Sequence, residues 1–201
     1  SGTKNDHLTG LSSEYLKGES IMKLVYTALV TFAILSPAGY GLPGEDEKPL
    51  SSHLKPLAAY LGKTYKGEFA GSTPEKPVYD IARWERALNG KAIRIIHSLN
   101  NGQYGGESIV MWDPKKKSLA SWYFTTAGFF TQATMTIEKN KLIALEKVTG
   151  NQNGITEVRS TTEFLSGGGM KKKAEFLQKG KWVPGHSIHY KETPDAKVRF
   201  K

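Results

Sequence analysis

From Gly62 onward, apolar and polar positions alternate over short runs rich in Val, Ile, Thr, Tyr, Phe and Trp, the period of half-buried strands. Turn residues punctuate the runs about every 8 to 15 positions: Asn89-Gly90, Asn100-Asn101-Gly102, Asp113-Pro114, Ala127-Gly128, Lys139-Asn140, Asn151 to Gly154, Ser166 to Gly169, Lys179-Gly180 and Pro184-Gly185. No run carries the helical period that a crossover between parallel strands would need, so the strands are expected to be antiparallel. Ahead of them, Leu54, Leu57, Ala58 and Leu61 have the spacing of one short helix. Sequential strands joined by short hairpins leave two bare edges unless the sheet closes. The pattern therefore predicts an all-β fold, an antiparallel up-and-down barrel of about eight to ten strands with one short N-terminal helix.

Hairpin loops fix which residues face each other. A two-residue turn at Asn89-Gly90 sets Trp84 opposite Ile95, Ala82 opposite His97 and Leu88 opposite Lys91, with Val78, Ala82, Trp84 and Leu88 sharing a face with Ile93, Ile95, His97 and Leu99. Arg83, Glu85, Arg94 and Ser98 fall on the other face, where Glu85 meets Arg94 as a cross-strand ion pair. A three-residue loop at Asn100-Asn101-Gly102 carries the inner face to Glu107, Ile109 and Met111; a two-residue loop would carry Ser108, Val110 and Trp112 inward instead. The first is preferred because, continued through Ala127-Gly128, it places Ala120, Trp122 and Phe124, then Ala133, Met135 and Ile137, inside. The other would bury Gln132, Thr134 and Thr136. On the preferred register, Asp80, Arg86, His97 and Glu107 are the polar exceptions in an apolar, aromatic interior.

Composition narrows the functional classes. The 201 residues include no cysteine, which removes a disulfide framework, a thiolate metal site, a cysteine nucleophile and a lipid-bearing cysteine. A net charge of +9 raises the question of an anionic partner. The lysines are scattered, however, and the runs Lys115-Lys116-Lys117 and Lys171-Lys172-Lys173 read as solvated turns rather than a nucleic-acid groove interleaved with aromatics. No nucleic-acid partner is expected.

From Met22 the chain reads Met-Lys, an apolar run from Leu24 to Leu35, then Ser36-Pro37-Ala38-Gly39. A secretory signal peptide has this pattern, and the run is shorter than the about 20 residues of a spanning helix. The expected organisation is residues 1–21 as upstream residues, translated or appended ahead of Met22, then a signal peptide over 22–38 cleaved after Ala38, a linker over 39–52 and a barrel domain over 53–201. The mature protein is expected to be exported, periplasmic or secreted, with no membrane span, as a monomer or weak homo-oligomer.

Leu57 to Thr64, with a helix running into Gly62-Lys63-Thr64-Tyr65, resembles the start of a lipocalin-like barrel, where a Gly-x-Trp element opens the first strand; here tyrosine stands in for tryptophan. Arg83-Trp84-Glu85, Asn89-Gly90, Tyr104-Gly105-Gly106-Glu107, Trp112-Asp113-Pro114 and Trp122-Tyr123-Phe124 resemble the bacterial lipocalin-like proteins of the "domain of unknown function 1579" type over residues 53–192. The resemblance implies a calycin-type barrel and carries over no reaction, cofactor or catalytic residue. A related barrel family binds haem through a histidine near its end, and the chain departs from that pattern around His186 and His189.

Among motifs, Gly62-Lys63-Thr64 lacks the upstream glycine of a phosphate-binding loop, since Leu57 stands there. His186 and His189 are three apart on a strand and so face opposite ways, so that at most one can ligate an ion. The inner cluster is the better candidate. His97 lies diagonal to Asp80 and Glu107, and a carboxylate on one ring nitrogen fixes the tautomer and leaves the other for a ligand or a proton. The alternative is a self-satisfied buried polar network. Trp84, Trp122 and Phe124 either fill the core or line a cavity, and Arg86 inside a cavity would suit a carboxylate-bearing apolar ligand. The expected function is a small-molecule carrier or binding protein that holds an apolar or amphipathic ligand through Asp80, Trp84, Arg86, His97, Glu107, Trp122 and Phe124. The alternatives are a barrel enzyme using His97 with Asp80 or Glu107 for proton transfer, and a structural or envelope-interaction protein with a filled barrel. No cofactor or metal is expected.

Overall fold

The computed structural model describes residues 48–149 and 154–201, all within the unit Glu47–Lys201. Residues 1–21, the expected signal peptide over 22–38, the expected linker as far as residue 47 and residues 150–153 lie outside the described residues. A 3-10 helix, Ser52–Tyr60, leads into ten strands: β1 Lys63–Phe69, β2 Tyr79–Ala87, β3 Ala92–Leu99, β4 Tyr104–Asp113, β5 Ser118–Thr125, β6 Phe130–Glu138, β7 Lys141–Thr149, β8 Ile155–Phe164, β9 Met170–Gln178 and β10 Lys181–Glu192. Each strand pairs antiparallel with the next, and β1 pairs with β10, which closes the barrel. The expected all-β up-and-down barrel is the fold.

The helix plugs one end. Pro56 lacks the N–H for a regular α-helical ladder, and Leu54 and Leu57, three apart, fall on one side of a 3-10 turn. Both are fully buried, and they join Tyr65, Trp84, Ile93 and Phe164 in the core. Tyr60 packs its ring on Phe164 at 4.3 Å, and Trp84 meets Phe164 edge-on at 6.3 Å. The backbone N–H of Ser51 donates to the Gly90 carbonyl at 2.9 Å, fixing the start of the helix to the β2–β3 turn.

The β2–β3 register is as the sequence predicts: Ala82 faces His97, Trp84 faces Ile95 and Glu85 faces Arg94. The loop itself spans Leu88 to Lys91, and two extra residues preserve the parity of the strands. Leu88, expected opposite Lys91 on the inner face, takes a positive φ of 48° and is 63% exposed.

The β3–β4 loop overturns the preferred register. Asn100 to Gln103 form a four-residue connection in which Leu99 faces Tyr104 and His97 faces Gly106. One residue more than expected turns every side chain of β4 and β5 over. Tyr104, Ser108 and Val110 point inward, followed by Leu119, Ser121 and Tyr123; Glu107, Ile109, Met111, Ala120, Trp122 and Phe124 point outward. Trp122 and Phe124 are accordingly 36% and 53% exposed. The β5–β6 turn then has three residues, Thr126 to Gly128, in place of two, with the Thr125 N–H donating to the Phe129 carbonyl at 3.1 Å. The second flip cancels the first, so Ala133, Met135 and Ile137 face inward as expected.

After β10 the chain crosses the outside of the barrel. Thr193 N–H donates to the Thr64 carbonyl at 2.8 Å and Arg199 N–H to Ser98 Oγ at 3.0 Å, which buries the outward-facing Ser98. Among the described residues no helix is long and apolar enough to cross a membrane.

Candidate functional site

Ten strands enclose more room than side chains fill, and with the helix closing one end the space remains in the other half. A cavity of about 410 Å³ lies there. Its wall is mostly apolar, with Phe69, Ile95, Leu99, Met135, Val158, Phe176 and Ile188 in its lining. Polar side chains interrupt this wall, among them two clusters.

The first is a chain of hydrogen bonds centred on His97. Asp80, at the start of β2 and 2% exposed, accepts from His97 Nδ1 at 2.7 Å on one oxygen and from the Tyr190 hydroxyl at 2.9 Å on the other. A carboxylate this buried needs such partners to offset its lost hydration. His97 Nε2 lies 2.6 Å from the Tyr123 hydroxyl, which is 3.1 Å from that of Tyr104. The tyrosines come from β10, β5 and β4, and two inward-facing glycines open the lanes along which two of the rings reach the centre. A Cβ on Gly67 would sit 2.5 Å from the Tyr190 ring, and one on Gly106 2.5 Å from the Tyr123 ring.

Burial, above all, raises the pKa of Tyr104, Tyr123 and Tyr190, and the Asp80 charge raises it further. All three therefore remain hydroxyls. With Nδ1–H given to Asp80, two proton arrangements satisfy the chain. In one, His97 is neutral, Nε2 accepts from Tyr123 and Tyr123 accepts from Tyr104. In the other, His97 carries a second proton, Nε2–H donates to Tyr123 and each hydroxyl donates onward. Passing from the first arrangement to the second adds a proton at Nε2 and turns both hydroxyls round.

The second polar region is formed by Lys172 on β9 and His186 on β10. β10 departs from its regular pairing with β9 between Pro184 and Ser187, a bulge that re-aims the side chains beside it. The His186 ring sits between Phe69 and Phe176, at 5.5 and 5.8 Å. Burial, and then the nearby Lys172, pull its pKa down to about 4. Glu146 also reaches the cavity and accepts from Thr131 Oγ1 at 3.0 Å.

Of the residues expected to contact a ligand, Asp80, Trp84 and His97 line the cavity. Arg86, Glu107, Trp122 and Phe124 do not. Arg86 has inward parity but lies at the plugged end, where a Cβ on Gly90 would sit 2.5 Å from its Nη2. Glu107 belongs to the outer face, where Arg94 grips it through Nε at 2.7 Å and Nη2 at 2.8 Å while Nη1 reaches Glu85 at 3.2 Å. That grip lowers the Glu107 pKa.

The sequence reading missed Tyr104 and Tyr123, which the register error hid, and Tyr190. It also missed Lys172, because alternation along β9 turns the middle lysine of Lys171-Lys172-Lys173 inward while its neighbours stay exposed; period two within the run was the available signal. His189 is exposed, and only His186 of that pair reaches the interior. Among the described residues no three metal-ligating side chains converge.

No protein-family model matches the chain, and no curated protein matches it. Among solved structures the chain is similar to the crystal structure of Rv2717c from M. tuberculosis, with a TM-score of 0.53 and 9% identity over 72% of this chain and 99% of that one. At this identity the likeness bears on the fold alone.

Proposed function

We propose that the protein is an exported small-molecule carrier or binding protein, lipocalin-like in kind, which holds an apolar or amphipathic ligand in the barrel interior. The cavity of about 410 Å³ carries the reading: it falls in the range of about 300–1,000 Å³ typical of ligand sites, and like them it is mainly apolar with a few convergent polar groups. Export to the periplasm or beyond rests on the Met22–Ala38 pattern, and exported material should begin at or near Gly39 by N-terminal sequencing; uncleaved chain retained in the cytoplasm would overturn it. For the cavity, the neutral probe N-phenyl-1-naphthylamine should bind at about micromolar strength and quench the emission of Trp84, which lines the wall. Replacing Trp84 with Phe should keep the binding and lose most of the quenching. Absence of binding would return the protein to the structural class, a barrel without a ligand.

The short Asp80–His97 contact favours a second reading, proton transfer to or from a bound ligand. Tyr123 occupies Nε2, so the proton would pass through the tyrosine hydroxyls rather than directly from the imidazole. Exchange of the α-hydrogens of a bound apolar ketone for deuterium, followed by NMR and abolished by His97→Gln, would support this reading; no exchange above buffer would remove it.

A further inference from the structure

Most polar groups of the cavity already have partners within the protein. Asp80, His97, Tyr104, Tyr123 and Tyr190 satisfy one another, and Glu146 has Thr131. Lys172 and His186 differ. Neither makes an ion pair or hydrogen bond with the other described residues, although both line the cavity. They stand on adjacent strands, near enough for the lysine charge to be felt at the imidazole. An ammonium donates up to three hydrogen bonds and a neutral imidazole one, so the two together present donors and positive charge to whatever enters, inside a wall of Phe69, Phe176 and Ile188.

From this we infer that the ligand is a monocarboxylate with an apolar tail, its carboxylate paired with the Lys172 ammonium and hydrogen-bonded by His186. A carboxylate fits better than a doubly charged phosphate, because one lysine must hold it in a cavity that also contains the Asp80 and Glu146 carboxylates. Asp80 directs its charge into His97 and Tyr190, and no carboxylate of the described residues reaches Lys172 within ion-pair distance. The lysine is therefore left for the ligand. The tail would run along the apolar wall towards Trp84. Arg86, the expected carboxylate partner from the sequence, has no place in this arrangement.

The inference rests on the cavity being a ligand site, and the test separates the two. Decanoic acid and methyl decanoate are compared at pH 8 by displacement of N-phenyl-1-naphthylamine from the protein, its Lys172→Met and Lys172→Arg variants, and His186→Phe. The acid should bind about tenfold or more tightly than the ester, as a charge-assisted pair in a partly desolvated site implies. Lys172→Met should bring the acid to the affinity of the ester while ester binding persists, which also shows that the variant is folded. Lys172→Arg should retain the preference, and His186→Phe should reduce it by a few fold. Equal binding of acid and ester to the unaltered protein, or a preference that survives Lys172→Met, would overturn the carboxylate site and leave the cavity reading standing. Failure of probe, acid and ester alike would overturn both.

Discussion

Two histidines reach the same cavity, and their surroundings give them opposite characters. His97 has a carboxylate on one nitrogen and a hydroxyl on the other, so either protonation state finds its hydrogen bonds made. His186 has two phenyl rings and a lysine as neighbours, an environment that opposes the imidazolium by burial and by like charge. Of the charged groups acting on it, Lys172 and His97 lower its pKa and only Asp80 raises it. The folded-state pKa of about 4 lies below the ordinary value of 6.5. Between these values the unfolded chain binds a proton that the folded one refuses, so stability falls as pH drops from 6.5 towards 4 and levels off below. The contribution is at most on the order of 3 kcal/mol. Urea unfolding of the protein and of His186→Phe at pH 7 and pH 4 should show the unaltered protein losing more stability on acidification than the variant. Equal losses would mean that His186 titrates as a solvated imidazole.

Each strand carries its side chains to the site through its register, so a hairpin's length matters more to function than any single interior residue. The β2–β3 register was legible because the alternating pattern on both strands agreed with the turn, and two extra loop residues left parity unchanged. At Asn100-Asn101-Gly102 the choice of loop rested on keeping polar residues out of the interior. That criterion presumes a filled core, and a cavity wall accepts Ser108, Ser121 and Tyr123 without penalty. The inward β6 residues were then reached through two errors that cancelled. Gly106 shows how closely β4 and β5 are matched: its Cβ would meet both the Tyr123 ring and the Phe124 carbonyl. Gly106→Ala should therefore cost about 1–3 kcal/mol from overpacking and shift the ring ¹⁵N resonances of His97 as Tyr123 is displaced. Gly128→Ala, with a φ of 79° but open space around it, should cost about 1 kcal/mol from backbone strain and leave those resonances in place. Unchanged resonances in Gly106→Ala would mean that the lane is not needed.

At the scale of the whole barrel the two ends are built differently. One is packed, with the helix driving Leu54 and Leu57 among Tyr65, Trp84 and Phe164; the other is lined but not filled. Closure was legible because an unbroken series of hairpins has only one way to pair its first and last strands, whereas the division into plug and cavity needed three-dimensional distances that no periodicity encodes. This division makes the cost of one and the same deletion depend on where it is made. Leu57 is surrounded, so Leu57→Ala removes buried methyl groups and opens a void its rigid neighbours cannot close, at a cost of about 2–5 kcal/mol. Leu99 borders the cavity and has partner atoms on one side only, so Leu99→Ala enlarges a space already present and should cost about 1 kcal/mol. Chemical unfolding measures both, and saturation with a cavity-filling ligand should widen the penalty at Leu99, because the ligand supplies the contacts that the free protein lacks and the shortened side chain forfeits them. Equal costs at the two positions without ligand would mean an interior packed from end to end, the architecture of a structural barrel rather than a carrier.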